Sequence, residues 1–501
     1  MKKIIVKTAI IIFAASTAFY FSCNKSNLDL LPHGPTEQSY FTAESDFTKA
    51  VLGTYSKMSD LFWYNGGGST MPVFLLPGDD ITTNNSGEEF EIFGALQPSS
   101  GKVSYFYSTL YQMIARANVV LQKNAEVADG IYVTPNLKDY HKGEALFLRG
   151  LANYYLWNYF GTAPLVTERV ISSDQFHPAS TTGTQLLDQA IADFTEAATL
   201  LPPTWDDANR GRATKNSANG MLGKSLVFRA SASKNSADYT AAIEAFNNIT
   251  GLSLASNYSD NFAFDTENNN ESLFEFQASQ PFAFDNVWLD NDFDNAIGSM
   301  SAFWGYYDNN FALFGQSRFY ATAKLANAFD AADPRRDITL NADDRTINKY
   351  VTRNKLTQSG VASANNPRLL RYADVLLLKA EAIIESGGSA TEAINLINQV
   401  RTRARNMVAG GTAPANYAPT ETSATTIMGW IINERQLELA GEGQRWLDLR
   451  RWQMQGIISL DNNYFSSNTA TMSFQPEKHL YFPIPNSEID VNPNVKQNTG
   501  Y

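Results

Sequence analysis

The sequence has 501 residues, 44% of them hydrophobic and 18% charged, with 23 Tyr, 31 Phe and 8 Trp. That composition is globular and supplies a sizeable core, enough for one large α-helical unit or about three domains of ordinary size. A formal net charge of -12 disfavours nucleic-acid and anionic-membrane partners, while one cysteine and four scattered histidines exclude a disulfide framework and argue against zinc or thiol chemistry.

Lys2, Lys3 and Lys7 precede an apolar run from Thr8 to Phe21. The run is short for a bilayer span and reads as a signal peptide over residues 1–22. Ser22-Cys23 follows at once. A small residue before a cysteine at that place reads as a lipoprotein cleavage site, with Cys23 acylated, although Tyr20 and Phe21 are bulkier than the usual pattern. Two or more acyl chains would anchor the chain firmly. Residues 23–32 then form a tether ending at Pro32, and 33–501 form one folded body.

Helical periodicity dominates that body. Leu110, Ile114, Ala117 and Leu121 share one face, as do Ala145, Leu148, Ala152, Tyr155 and Tyr159. A third helix carries Leu186, Ile191, Phe194 and Ala198 and stops at Pro202-Pro203. Thr214 reads as the N-cap of a fourth with Met221, Leu222, Leu226 and Phe228, and a short fifth runs over 241–250 to Gly251. Further on, Tyr372, Leu376, Ala380, Ile383 and Ile384 form a stripe broken by Gly387-Gly388. Ser389 and Glu392 then read as a capping box opening the next helix. Successive antiparallel pairs of this kind stack as tetratricopeptide units do, without a strict 34-residue repeat. The predicted class is all-α.

Two long segments differ in character: 61–106 and 252–318 are rich in Gly, Asn, Pro and aromatics, and loops of that length on a packed scaffold are usually functional. Leu273-Phe274-Glu275-Phe276 alternates like a strand, and 'NGGGST' (65–70) lacks the lysine of a phosphate loop and reads as a flexible turn. The prolines of 478–494 forbid a regular helix and predict extended chain wrapping the surface.

Most catalytic readings fail on spacing. Ser231 and Lys234 with Ser259-Asp260-Asn261 imitate a penicillin-recognising set, but Ser231 falls at a helix end and no Lys-Thr-Gly follows. Asp290, Asp292 and Asp294 match the start of a calcium loop that lacks its Gly and its final Glu, which leaves an irregular structural calcium site as the alternative to a solvated acidic loop. Glu434, Glu438 and Asp448 sit among Arg435, Arg445, Arg450 and Arg451 and read as an ion-pair network, because a glycosidase pair must face across a sugar. No cofactor is expected. The loop aromatics remain: Trp63 and Tyr64 in the first segment, Trp288, Trp304, Tyr306 and Tyr307 in the second. Aromatic rings stack on the C–H faces of sugars, while groups such as Asp80 and Asn84 take the hydroxyls.

Several stretches together resemble the SusD/RagB family of bacterial surface lipoproteins: 'YQMIARANVVL' (111–121), 'GEALFLRGLANYYLWNYFG' (143–161), 'GRATKNSANGMLGKSLVF' (211–228), 'RYADVLLLKAEAI' (371–383), 'INQVRTRAR' (397–405), 'INERQLELAGEGQRWLDLRRW' (432–452) and 'LYFPIPNSEIDVNPN' (480–494). They run in family order across nearly the whole mature chain, with a C-terminal part over about 367–501. The resemblance implies a single helical body with tetratricopeptide-like pairs, anchored at the outer-membrane surface. It implies non-catalytic capture of oligo- or polysaccharide for a SusC-type TonB-dependent transporter. Peptide capture on the same scaffold is the alternative, and a hydrolase the third reading.

Overall fold

The computed structural model describes residues 40–61, 64–65, 68–69, 71–84, 87–277, 319–350, 365–468 and 471–501. The proposed signal peptide, Cys23 and the tether lie outside the described residues. No helix among those described is long and apolar enough to cross a membrane.

The principal helices are α1 (Glu44–Tyr55), α2 (Gly101–Glu126), α3 (Leu137–Phe160), α4 (Gln185–Leu200), α5 (Lys215–Ser233), α6 (Ser236–Asn247), α7 (Tyr372–Glu385), α8 (Ala390–Asn406), α9 (Ala424–Leu439) and α10 (Arg445–Gln455). Local chemistry sets their ends. The Ser100 side chain accepts from Val103 N at the start of α2, and Thr214 accepts from Ser217 N at the start of α5. Ser389 accepts from Glu392 N, but the Glu392 carboxylate lies toward Lys379 at 4.0 Å, so only half of the expected capping box forms. Gly387, with φ +75°, turns the chain between α7 and α8.

Each helix packs on its successor from α1 to α9, and α10 returns against α5. Helix α3 lies at the centre: every residue from Gly143 to Phe160 is buried, as expected for a helix apolar on nearly all sides. Its Gly150 lets α4 approach closely, since a Cβ there would stand 3.0 Å from the Phe194 ring. One contiguous apolar core runs from Met58 to Val495.

Two short antiparallel ladders tie distant segments together. Strand β1 (Ile81–Thr83) pairs with β3 (Phe319–Ala321), and β2 (Ser272–Glu275) pairs with β4 (Arg368–Arg371). The alternating Leu273–Phe276 stretch is thus a strand, but it is buried on both faces, and Glu275 is satisfied there by Asn268 N and Asn366 Nδ2. Part of the glycine-rich turn is also ordered as a ladder, with Tyr64 opposite Ser69 and Asn65 opposite Gly68.

The proline-rich tail corrects an expectation. It enters the body instead of wrapping it: Phe482 and Ile484 are fully buried, and Phe482 N donates to Tyr159 O at 2.6 Å. Asn498 Nδ2 donates to both Phe160 O and Phe482 O, which fastens the tail to the end of α3. Proline spacing predicted the lack of a long helix but not which surface the tail's apolar side chains would seek.

Candidate ligand-binding site

The β1–β3 ladder joins the first long segment to the chain just beyond the second. Ile81 stands opposite Ala321, Thr82 opposite Tyr320 and Thr83 opposite Phe319. The chain leaving β1 at Asn84 and the chain entering β3 at Phe319 therefore share one edge, although some 240 residues separate them in sequence.

Buried polar groups hold this ladder in place. Asp79 is fully buried and accepts from Arg445 Nη2 at 3.0 Å and from Lys324 Nζ at 2.6 Å. Its carbonyl accepts from the Thr322 hydroxyl at 2.6 Å, and the Asp80 carbonyl accepts from Thr322 N at 2.9 Å. Glu91, also fully buried, accepts from Thr83 N at 3.1 Å and from the Thr82 hydroxyl. The Asp80 carboxylate accepts from Ile81 N at 3.0 Å and Gly441 N at 3.4 Å, which links β1 to the turn before α10. The Lys324 ammonium, besides pairing with Asp79, lies 3.6 Å from the Tyr464 ring centre, a cation–π contact.

The two neighbouring aspartates titrate apart. Burial alone would raise both. At Asp79 the charges of Arg445 and Lys324 outweigh it and hold the carboxyl at about 2. At Asp80 burial prevails, the Asp79 charge adds to it, and the carboxyl is pushed up to about 6. Between about pH 4 and 6 the folded chain keeps a proton on Asp80 that the unfolded chain has released. Rising pH therefore removes stability over that window, by up to about 3 kcal/mol. His141 works in the opposite direction. Burial, with Arg212 nearby, holds it down at about 4, so falling pH below about 6.5 removes stability. Urea midpoints should accordingly show Asp80→Asn gaining on the wild type as pH is raised from 4.5 to 7.5. A difference that does not change with pH would refute the assignment.

Of the residues expected to meet a ligand, Trp63, Trp288, Trp304, Tyr306 and Tyr307 lie outside the described residues. Tyr64 belongs to the short ladder with Ser69. Asn84 is exposed at the end of β1, whereas Asp80 is only 3% exposed and turned inward. Asp80 thus holds β1 and does not present its carboxylate to solvent. Sequence reasoning missed Asp79, Glu91, Lys324 and Gly441 as supports, and only the adjacent acids Asp79-Asp80 hinted at them.

The rejected catalytic sets are engaged structurally. The Ser231 hydroxyl donates to Val227 O inside α5, and Lys234 is the C-cap of that helix. Glu434 accepts from Arg335 and Arg401, each at 2.6 Å; Glu438 accepts from Arg371 at 2.6 Å, Arg335 at 2.8 Å and Arg403. The expected network exists with partly different members. Arg435 and Arg451 serve Asp448, Arg445 serves Asp79, and Arg450 donates to Asn158 while stacking over Trp157. The acidic run 290–294 lies outside the described residues. Among those described, no group of three or more His, Cys, Asp or Glu side chains could hold a metal ion.

Helix pairs packed in succession, with only short strand ladders between them, make this an all-α, tetratricopeptide-like protein. Residues 80–226 match the family model described as "Starch-binding associating with outer membrane", and residues 288–501 match the "SusD family" model. The chain belongs to the SusD/RagB family. It is 25% identical to SusD-like protein P2 of Formosa agariphila, over 93% of this chain and 94% of that one. Among solved structures, a SusD homolog from Bacteroides thetaiotaomicron superposes with a TM-score of 0.75 at 23% identity, covering 93% of this chain and 99% of that one. A laminarin-binding SusD-like protein superposes at 0.72 and 22%, covering 92% and 100%. At these identities the superpositions speak to fold.

Proposed function

We propose that the protein is a non-catalytic surface receptor for oligo- or polysaccharide. In this reading residues 33–501 act as one body, held at the outer membrane by acylated Cys23, that passes its ligand to a SusC-like TonB-dependent transporter. The observation that supports it is the β1–β3 ladder, which sets the end of β1 at Thr83-Asn84 beside Phe319, where the chain enters β3. Trp63, Tyr64, Trp288, Trp304, Tyr306 and Tyr307 would stack on the sugar, and Asn84 would take its hydroxyls. Asp80 would contribute by fixing the strand. The family membership and the laminarin-binding structural relative support the ligand class. No cofactor is needed for capture.

Replacing Trp63, Trp288 and Trp304 together by Ala should weaken retention in polysaccharide-containing native gels at least about tenfold, since each stacked ring contributes about 1 kcal/mol or more. Retention equal to the wild type would sink the loop assignment. Release of reducing ends from a soluble glycan by the purified chain would overturn the non-catalytic reading.

A further inference from the structure

A second candidate surface is built from residues other than those of the β1–β3 ladder. An open groove of about 590 Å³ runs between the chain at Leu252–Leu254 and the outer face of α8. Its lining is Leu252, Ser253, Leu254, Tyr372, Asn395, Asn398, Gln399 and Thr402. None of these is charged, in a protein with net charge -12 whose charged side chains belong mostly on its surface.

The walls are fixed from behind. Ser253 N donates to Asn270 O at 3.0 Å, and Tyr372 N donates to Glu271 O at 2.8 Å. Asn398 exchanges two hydrogen bonds with the Tyr417 backbone, at 2.9 and 2.8 Å. The Thr402 hydroxyl donates to Asn416 Oδ1 at 3.1 Å. Asn395 and Gln399 differ: both are exposed, and their amides make no hydrogen bond to the described residues. They lie one helical turn apart on one face of α8, about 5–6 Å between Cβ atoms, close to the length of one sugar ring.

We propose that this groove is a second glycan-binding site, specific for uncharged saccharide; the inference rests on the glycan-receptor reading above. Half-buried Leu252, Leu254 and Tyr372 offer an apolar strip for the C–H face of a pyranose. The Asn395 and Gln399 amides each bring two donors and one acceptor to its hydroxyls. With no charged group in the lining, an acidic saccharide gains nothing there. The volume falls within the range of small-ligand sites. Two such sites would hold one long polymer at two points and raise its retention through effective concentration.

The test uses the full chain in native gels containing laminarin, starch, galactomannan or xyloglucan, with calorimetry on the matching oligosaccharides. The variants are Tyr372→Ala/Asn395→Ala/Gln399→Ala and, as a milder pair, Asn395→Asp/Gln399→Glu. Asn395→Asp/Gln399→Glu lies wholly at the surface, so its circular dichroism and melting should match the wild type, whereas Tyr372→Ala also removes a half-buried ring and the triple variant is read on its folded fraction. On a polysaccharide that retards the wild type, each groove variant should lose about three- to tenfold in retention. Combination with the loop tryptophan triple should abolish what either leaves. Wild-type retention by both groove variants overturns the second site and leaves the receptor reading standing. Failure of the wild type to bind any of the four overturns both. Binding of a casein hydrolysate that only the groove variants lose overturns the saccharide class.

Discussion

Glu438→Ala is expected to lower stability by about 3–5 kcal/mol, because it strips one carboxylate from beneath three guanidinium groups. Glu438 is fully buried and accepts from Arg371, Arg335 and Arg403. Burial by itself would raise its pKa, but the charges of Arg403, Arg371 and Arg335 hold the carboxyl well below its usual range. The contribution is therefore present above about pH 4 and declines as acid protonates the group. The three arginines come from β4, α8 and the helical turn Arg335–Thr339, so the loss touches three elements at once. Urea unfolding at pH 7 is the measurement. A Glu438→Ala midpoint corresponding to less than about 1 kcal/mol would mean that the cluster is far better hydrated than its burial indicates. Glu438→Gln keeps the volume and should fall between the two.

The second large effect is expected at Asp79→Ala, also about 3–5 kcal/mol, and it should reach the ligand. Removal of this carboxylate leaves Arg445, itself 6% exposed, without its acidic partner beneath β1 and breaks the tie from Lys324, at the start of the helix following β3, to β1. Both strands of the ladder lose a support. Retention on a polysaccharide gel should fall together with the urea midpoint, and proteolytic cleavage within 79–84 and 319–324 should accelerate. Asp79→Asn, which keeps the shape, should restore part of the stability. If Asp79→Ala unfolds early but binds normally in the folded fraction, the ladder does not organise the ligand loops.

The two predictions also mark how far the sequence can be read. Helices α2 to α8 were legible because their apolar side chains recur at helical spacing, and Thr214 and Ser389 announce helix starts through bonds that span only three residues. The arginine–carboxylate cluster near α9 was legible as a class, since so many charges in a family-like helical stretch must neutralise one another. Its pairings were not: Glu434 meets Arg335 from 99 residues away, which no spacing rule encodes. The β1–β3 pairing was hidden for the same reason, as a three-residue ladder leaves no periodic trace across some 240 residues. Asp80 shows a subtler limit. An acid beside loop aromatics suggests a ligand contact, and only the Gly441 N–H and the neighbouring Asp79 reveal that it faces inward.

The buried tail has a consequence for how the chain matures. Phe482 and Ile484 complete the packing around Tyr159 and Phe160, residues synthesised more than 300 positions earlier. Without residues 480–498 the end of α3 would lack its lid, and the Tyr159 and Phe160 carbonyls would lose these donors. A chain made from N- to C-terminus would thus keep this part of its core open to chaperones until residues 480–498 arrive. This segment acts as a late-arriving latch on α3, fastened by Asn498.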